Sequence, residues 1–243
     1  MQDRQSLQER RVVIVGGTSG MGRGAAQAAA DAGAEVLVVG RRPANQRDNT
    51  GRFRHETVDM TDPVSVQALF ERIGELDHLL VTATPSTGAT GRFLEQDLER
   101  ARAFMDGKFF GSWACAHEAA PRIRPGGSIT FVTGGAAVRP KAGISIISVA
   151  FRALETLAQG LAIELGPIRV NTIRPGYTDS EMWGFLDDAA RDELRRKVAA
   201  AMPVRRMGTV EDIGHAAVFL MTNPQVTGTV LEITGGETLV DAL

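Results

Sequence analysis

The stretch Val12-Val13-Ile14-Val15-Gly16-Gly17-Thr18-Ser19-Gly20-Met21-Gly22 decides the fold. Four β-branched apolar residues in a row read as a short strand buried on both faces. The glycines behind them let the backbone turn tightly, and the alanine-rich run from Gly20 to Ala32 reads as a helix closed by Gly33. Such a turn points unpaired N–H groups and the positive end of a helix dipole at one spot, which suits a dinucleotide pyrophosphate. Gly16, Thr18, Ser19, Gly20, Met21 and Gly22 are therefore candidate cofactor-binding residues, with Thr18 and Ser19 able to add hydroxyl donors. Counted from the end of the strand the spacing is G-x-x-x-G-x-G rather than G-x-G-x-x-G.

Downstream, the pattern of strand and helix repeats. Strands are expected at Val36 to Val39, Phe53 to Val58, Leu76 to Ala83, Ser128 to Thr133, Ile168 to Ile173 and Val230 to Ile233. Helices are expected at Pro63 to Ile73, Gln96 to Ile123, Gly143 to Leu165, Ala189 to Ala201 and Glu211 to Met221. With the first unit this predicts an α/β, Rossmann-type, doubly wound parallel sheet of about seven strands with helices on both faces. No repeat or linker divides residues 1–243, which read as one dinucleotide-binding domain.

Composition removes several classes. Lys+Arg 27 against Asp+Glu 29 leaves a net charge of −2, with no footprint for nucleic acid or an anionic membrane. The lone cysteine, Cys115, excludes an intrachain disulfide, and the four histidines lie far apart, so no metal site is expected. Apolar runs are short and Met1 to Arg11 lacks a secretory stretch, so a cytoplasmic protein is expected. No Gly-x-Ser-x-Gly elbow supplies a hydrolase nucleophile.

Several motifs together resemble the short-chain dehydrogenase/reductase family nearly end to end. They are the glycine turn, Val58-Asp59-Met60-Thr61-Asp62, Gly126-Gly127-Ser128-Ile129, Leu161-Ala162-Ile163-Glu164-Leu165, Ile168-Arg169-Val170-Asn171, Pro175-Gly176, Thr227-Gly228 and Gly235-Gly236. The resemblance implies a nicotinamide cofactor, a small-molecule substrate and a homodimer or homotetramer. It implies that Asp59 and Met60 line the adenine pocket, that Ala83 and Thr84 pass beneath the adenosine ribose, and that Pro175, Gly176 and Thr178 meet the nicotinamide end. The family's Asn-Asn-Ala-Gly is replaced by Val81-Thr82-Ala83-Thr84.

The end of the second strand selects the cofactor. An acidic residue there would bind the adenosine ribose hydroxyls, whereas a cation accommodates a 2′-phosphate. The chain has Gly40 followed by Arg41 and Arg42, so NADP(H) is expected.

The catalytic positions read differently. The resemblance implies a Tyr-x-x-x-Lys, a serine and an asparagine, yet the single tyrosine, Tyr177, has Glu181 four residues on. The corresponding positions hold Ile147 and Phe151, Gly134, and Lys108. Lys108 near the nicotinamide end, with Thr133 beside Gly134, is the expected replacement; burial would bring a lysine there toward neutrality. Ser145, Ser148 and Tyr177 are weaker candidates, while Cys115 and Asp77-His78 read as structural. Residues 176–203 read as a substrate lid, and Met182, Trp183, Phe185 and Leu186 favour an apolar or aromatic substrate. An atypical NADP(H)-dependent oxidoreductase acting on a small carbonyl, alcohol or enone is expected. A catalytically silent NADP(H)-binding sensor or subunit, or a non-redox isomerase or dehydratase, stands beside it.

Overall fold

The structure, a computed structural model, describes residues 6–41, 52–85 and 89–240. In chain order its main elements are β1 (Arg11–Val15), α1 (Gly20–Asp31), β2 (Glu35–Gly40), β3 (Arg54–Thr57), α2 (Pro63–Ile73) and β4 (Leu76–Val81). There follow α3 (Leu98–Met105), α4 (Gly111–Ala119), β5 (Ile123–Val132), α5 (Ser145–Glu164), β6 (Arg169–Pro175) and β7 (Thr178–Asp179). The chain closes with α6 (Asp188–Ala201), β8 (Gly208–Thr209), α7 (Val210–Thr222) and β9 (Val230–Ile233).

Seven strands pair in the order β3-β2-β1-β4-β5-β6-β9, every neighbouring pair parallel. The expected Rossmann-type sheet is present. Its order reverses between β1 and β4, and the crevice beyond the C-terminal strand ends at such a reversal is where ligands bind this architecture.

Strand residues of alternate parity feed two cores. Val13, Val15, Val39, Leu79, Val81, Ile129 and Phe131 pack on α2, α4 and α5. Val12, Ile14, Val36, Val38, Leu80, Val132 and Ile173 pack on α1 and α7. Burial of each such side chain contributes about 1.5–3 kcal/mol. On the second face α1 and α7 cross closely, because a Cβ on Gly24 would lie 2.4 Å from the Val210 carbonyl and one on Gly214 2.7 Å from that of Gly24.

Three expectations about elements are corrected. The long helix Gln96 to Ile123 is instead α3, a π-helical turn at Asp106–Phe110, α4, and a 3-10 turn at Ala120–Arg122. Pro121, with no N–H to give, ends the α-helical hydrogen bonding. The fifth strand starts at Ile123 rather than Ser128, and its register on β4 shifts between Leu76 and His78, so Arg124–Gly126 bulge outward. A second, two-stranded parallel sheet joins β7 to β8 inside and just after the expected lid.

Candidate active site

The turn after β1 builds an anion cradle. Gly16 (φ +88°) and Gly22 are required by the chain's own packing: a Cβ on Gly16 would lie 2.5 Å from the Ala83 nitrogen, and one on Gly22 2.1 Å from the Gly16 carbonyl. Gly20 (φ +51°) is different, because the nearest atom to its missing Cβ is Ser180 Cβ at 3.9 Å. Ser19 caps α1 in extended conformation without a side-chain hydrogen bond, and no acidic residue occupies the first turn. Among the described residues no side chain caps the first N–H groups of α1, which stand beside Gly20. A pyrophosphate fits these residues. The Met21 side chain packs against the α1–α7 core.

The residues expected on the adenosine side stand at the ends of β2 and β4. A side chain on Gly40 would meet Thr18 Cγ2 at 2.9 Å, so Thr18 fills the place of an acidic residue. Arg41 is exposed and close enough to Asp59 to act on its charge; Arg42 lies outside the described residues. Asp59 is held below the usual carboxylate range by the Thr61 hydroxyl (2.7 Å) and N–H (2.9 Å), with Arg41 adding to the effect. Met60 is buried and packs on Gly111. Thr82 Oγ1 donates within 3.1 Å of the Gly16 carbonyl and Thr84 Oγ1 to Thr82 O at 3.4 Å, fixing the segment that carries Ala83.

At the inner end Lys108 is wholly enclosed. The π-helical turn swings it inward, where Nζ donates to Ala83 O at 3.0 Å and Val132 O at 2.8 Å and lies 5.6 Å from the centre of the Phe151 ring. Burial pushes its pKa down to about 7. The expected shift toward neutrality is present, but the ammonium ties the ends of β4 and β5 and faces a ring. Phe151 also explains Gly134, since a Cβ on Gly134 would be 2.8 Å from Phe151 Cε2. With Phe151 where it stands, a serine at Gly134 would force that ring to shift. Ile147 packs against Ala89, Phe104 and Ala150.

Thr133 departs from its expected role. Its one hydroxyl proton goes to Glu155 Oε1 at 3.1 Å, with Ile173 O at 3.4 Å as the alternative acceptor. Glu155 is 1% exposed and pairs in bidentate fashion with Arg174, at 2.8 and 2.7 Å. Arg174 also reaches Glu232, whose carboxylate takes a hydrogen bond from Thr238. This network stitches α5, β6 and β9; breaking such a buried pair costs about 3–5 kcal/mol. Ser148 bonds back to Ile144 O at 3.1 Å, a packing role, and Ser145 is exposed at the start of α5. Cys115 is buried with its thiol pushed up to about 12, hence inert. His78, paired with Ser128 Oγ at 2.9 Å, sits at the opposite end of the strands.

Pro175 and Gly176 end β6, with the Gly176 N–H on Ile233 O at 3.0 Å, and Thr178 is buried in β7. Above them Tyr177 stacks on Trp183 at 6.3 Å, and Trp183 Nε1 donates to Thr178 O at 2.9 Å. Met182 and Phe185 stay exposed, as do Phe93 and Leu94 in the segment after β4. Three polar residues here escaped the sequence reading: Glu155, Lys141 and Glu237. Glu155 is an acid on an apolar helix, and Glu237 directly follows the Gly235-Gly236 motif; those were their only signals.

A parallel doubly wound sheet with an anion cradle at its switch point defines a dinucleotide-binding protein of Rossmann type. A family described as enoyl-(acyl carrier protein) reductase matches residues 15–238. The chain belongs to the short-chain dehydrogenase/reductase family and is an oxidoreductase of that type. It is 29% identical to the short-chain dehydrogenase/reductase fsr5 of Gibberella fujikuroi, over 94% of each chain. It is 31% identical to the uncharacterized oxidoreductase Rv1714 of Mycobacterium tuberculosis, over 97% of this chain and 93% of that one. Among solved structures, a small-chain dehydrogenase in complex with NADPH superposes with a TM-score of 0.82 at 33% identity, over 94% of this chain and 98% of that one.

Proposed function

We propose that the protein is an NADP(H)-dependent oxidoreductase acting on a small apolar or aromatic carbonyl, alcohol or enone. The observation that carries this reading is the open, uncapped start of α1 beside Gly20, with Thr18 in the acidic position and Arg41 next in the chain. The NADPH carried by a 33% identical structural relative supports it. The exposed Phe93, Leu94, Met182 and Phe185 around the strand ends support an apolar substrate.

Gly20 and the first N–H groups of α1 would hold the pyrophosphate, Arg41 and Arg42 the 2′-phosphate, and Asp59 and Met60 the adenine. Ala83 and Thr84 would lie under the adenosine ribose, with Pro175, Gly176 and Thr178 at the nicotinamide. The cofactor supplies hydride chemistry at a carbon. Lys108 serves the site as a positioning residue: its two carbonyl bonds fix the ends of β4 and β5 on which both partners would rest. Thr133, just after β5, belongs to the Glu155–Arg174 network that ties that strand end to α5 and β6.

A second reading, a catalytically silent NADP(H)-binding sensor or subunit, is favoured by Ile147, Phe151 and Gly134 at positions the resemblance assigns to Tyr, Lys and Ser. Incubation with NADPH and a panel of carbonyls and enones separates the two. Loss of NADPH absorbance with at least one apolar panel member is the expected result. Tight NADPH binding with no consumption across the panel would establish the silent protein instead.

A further inference from the structure

Glu237 opens the short 3-10 turn Glu237–Leu239 that follows β9. It is only 6% exposed, and its Oε2 has no hydrogen-bond partner among the described residues. The carboxyl lies against the backbone at two strand ends. A Cβ on Gly176, next after β6, would be 2.6 Å from Oε2, and one on Gly135, just beyond β5, 3.4 Å from both oxygens. Two missing side chains thus make room for one acid at the end of the sheet where a substrate would react. Buried carboxylate oxygens are rarely left unpaired, and this one lies against Gly176, which the reading above puts at the nicotinamide, so a group arriving with the ligand is its natural partner.

The charges facing it come from three elements. Lys141 and Arg139 approach from the segment after β5, the Tyr177 N–H from the turn after β6, and Glu232 from β9. Lys141 Nζ is also 3.0 Å from Tyr177 Oη and 5.4 Å from the centre of that ring, so the cation is anchored over the same turn.

We propose that Glu237 is the proton donor and acceptor for the substrate oxygen, filling from the end of β9 the role that Ile147 and Phe151 cannot fill on α5. The assignment rests on the oxidoreductase reading above. In the reducing direction the carbonyl carbon accepts hydride from the reduced nicotinamide, which leaves oxidised. The C=O electron pair moves onto oxygen, and that oxygen takes the proton from Glu237 Oε2. The products are the alcohol, the oxidised cofactor and a Glu237 carboxylate, which Lys141, Arg139 and the Tyr177 N–H stabilise until solvent restores the proton. Burial raises the Glu237 carboxyl above the usual range, while Lys141, Arg139 and the Tyr177 N–H pull it back. Reduction uses the protonated acid, so kcat falls as pH rises through the Glu237 titration. Lys141→Met removes a charge that favours the carboxylate and moves that fall to higher pH.

Infrared titration of the whole protein, without cofactor, tests the proton itself. The expected result is a protonated-carboxyl band that persists above the pH range of exposed glutamates and is missing in Glu237→Gln. No such band, or one that survives in Glu237→Gln, overturns the assignment. With NADPH and a substrate from the panel, Glu237→Gln should bind NADPH as the parent does and lose about 10²–10⁴-fold in kcat. Glu237→Asp, which keeps the acid, should retain more. Turnover of Glu237→Gln within a few-fold of the parent overturns the role. A parent protein that binds no NADPH overturns the oxidoreductase reading and this step with it, whereas a loss confined to the Glu237 variants leaves that reading intact.

Discussion

At the scale of single residues, Lys108 carries the clearest consequence of burial. Its pKa is pushed down from 10.5 to about 7 by desolvation, while two carbonyl acceptors and the Phe151 ring favour the charged form. Between pH 7 and 10.5 the unfolded chain holds a proton that the folded chain has shed. Stability linked to Lys108 therefore rises as pH rises through that window, by a few kcal/mol at most, on the order of 1.4 kcal/mol per unit of difference. Lys108→Met should flatten this rise in chemical denaturation curves measured from pH 7 to 10. An unchanged slope would mean that the lysine is not desolvated as described. Its own cost is two unpaired carbonyls, Ala83 O and Val132 O, each worth about 1–3 kcal/mol.

Element by element, the sequence was legible wherever apolar β-branched runs met glycine punctuation. Val12–Val15 with its glycine turn, Val36–Val39 and the α7 run all stand where their periodicity puts them, because they are buried on the sheet and nothing competes with the pattern. Periodicity failed where hydrogen bonding changed without a change in composition. The helical run from Gln96 looks continuous, yet the π-helical turn at Asp106–Phe110 is what aims Lys108 inward. The two-residue strands β7 and β8 are too short to leave a pattern. The cradle glycines could be read as a set, but not their division of labour: Gly16 and Gly22 answer to packing, and only Gly20 borders open space. Glu155 meets Thr133 and Arg174 from α5, and Lys141 acts on Glu237 from the segment after β5, proximities that sequence spacing does not encode.

For the whole molecule, the unsettled surface is that of α4 and α5. Phe110 and Trp113 on one side and Val149 and Ile163 on the other are exposed, Ile163 by 85%. By length and hydropathy alone α5 could cross a membrane. It is nonetheless fastened to the sheet through the buried Glu155–Arg174 pair and the core contacts of Leu154 and Ala158. A helix apolar on more than one side calls for a second partner. A homodimer or homotetramer covering these faces is expected, so light scattering at micromolar concentration should report a multiple of 26.0 kDa. A mass of a single chain would contradict it.

The central claim is that the β1–α1 turn and the end of β2 hold a 2′-phosphorylated dinucleotide. Fluorescence titration of NADPH and NADH against the parent protein and Arg41→Ala tests it most directly. One charge-assisted contact is worth about 1.5–3 kcal/mol, so NADPH should bind tighter by about tenfold or more, and Arg41→Ala should lose most of that margin. Equal affinity for the two cofactors, or an Arg41→Ala protein that keeps the full preference, would contradict the account.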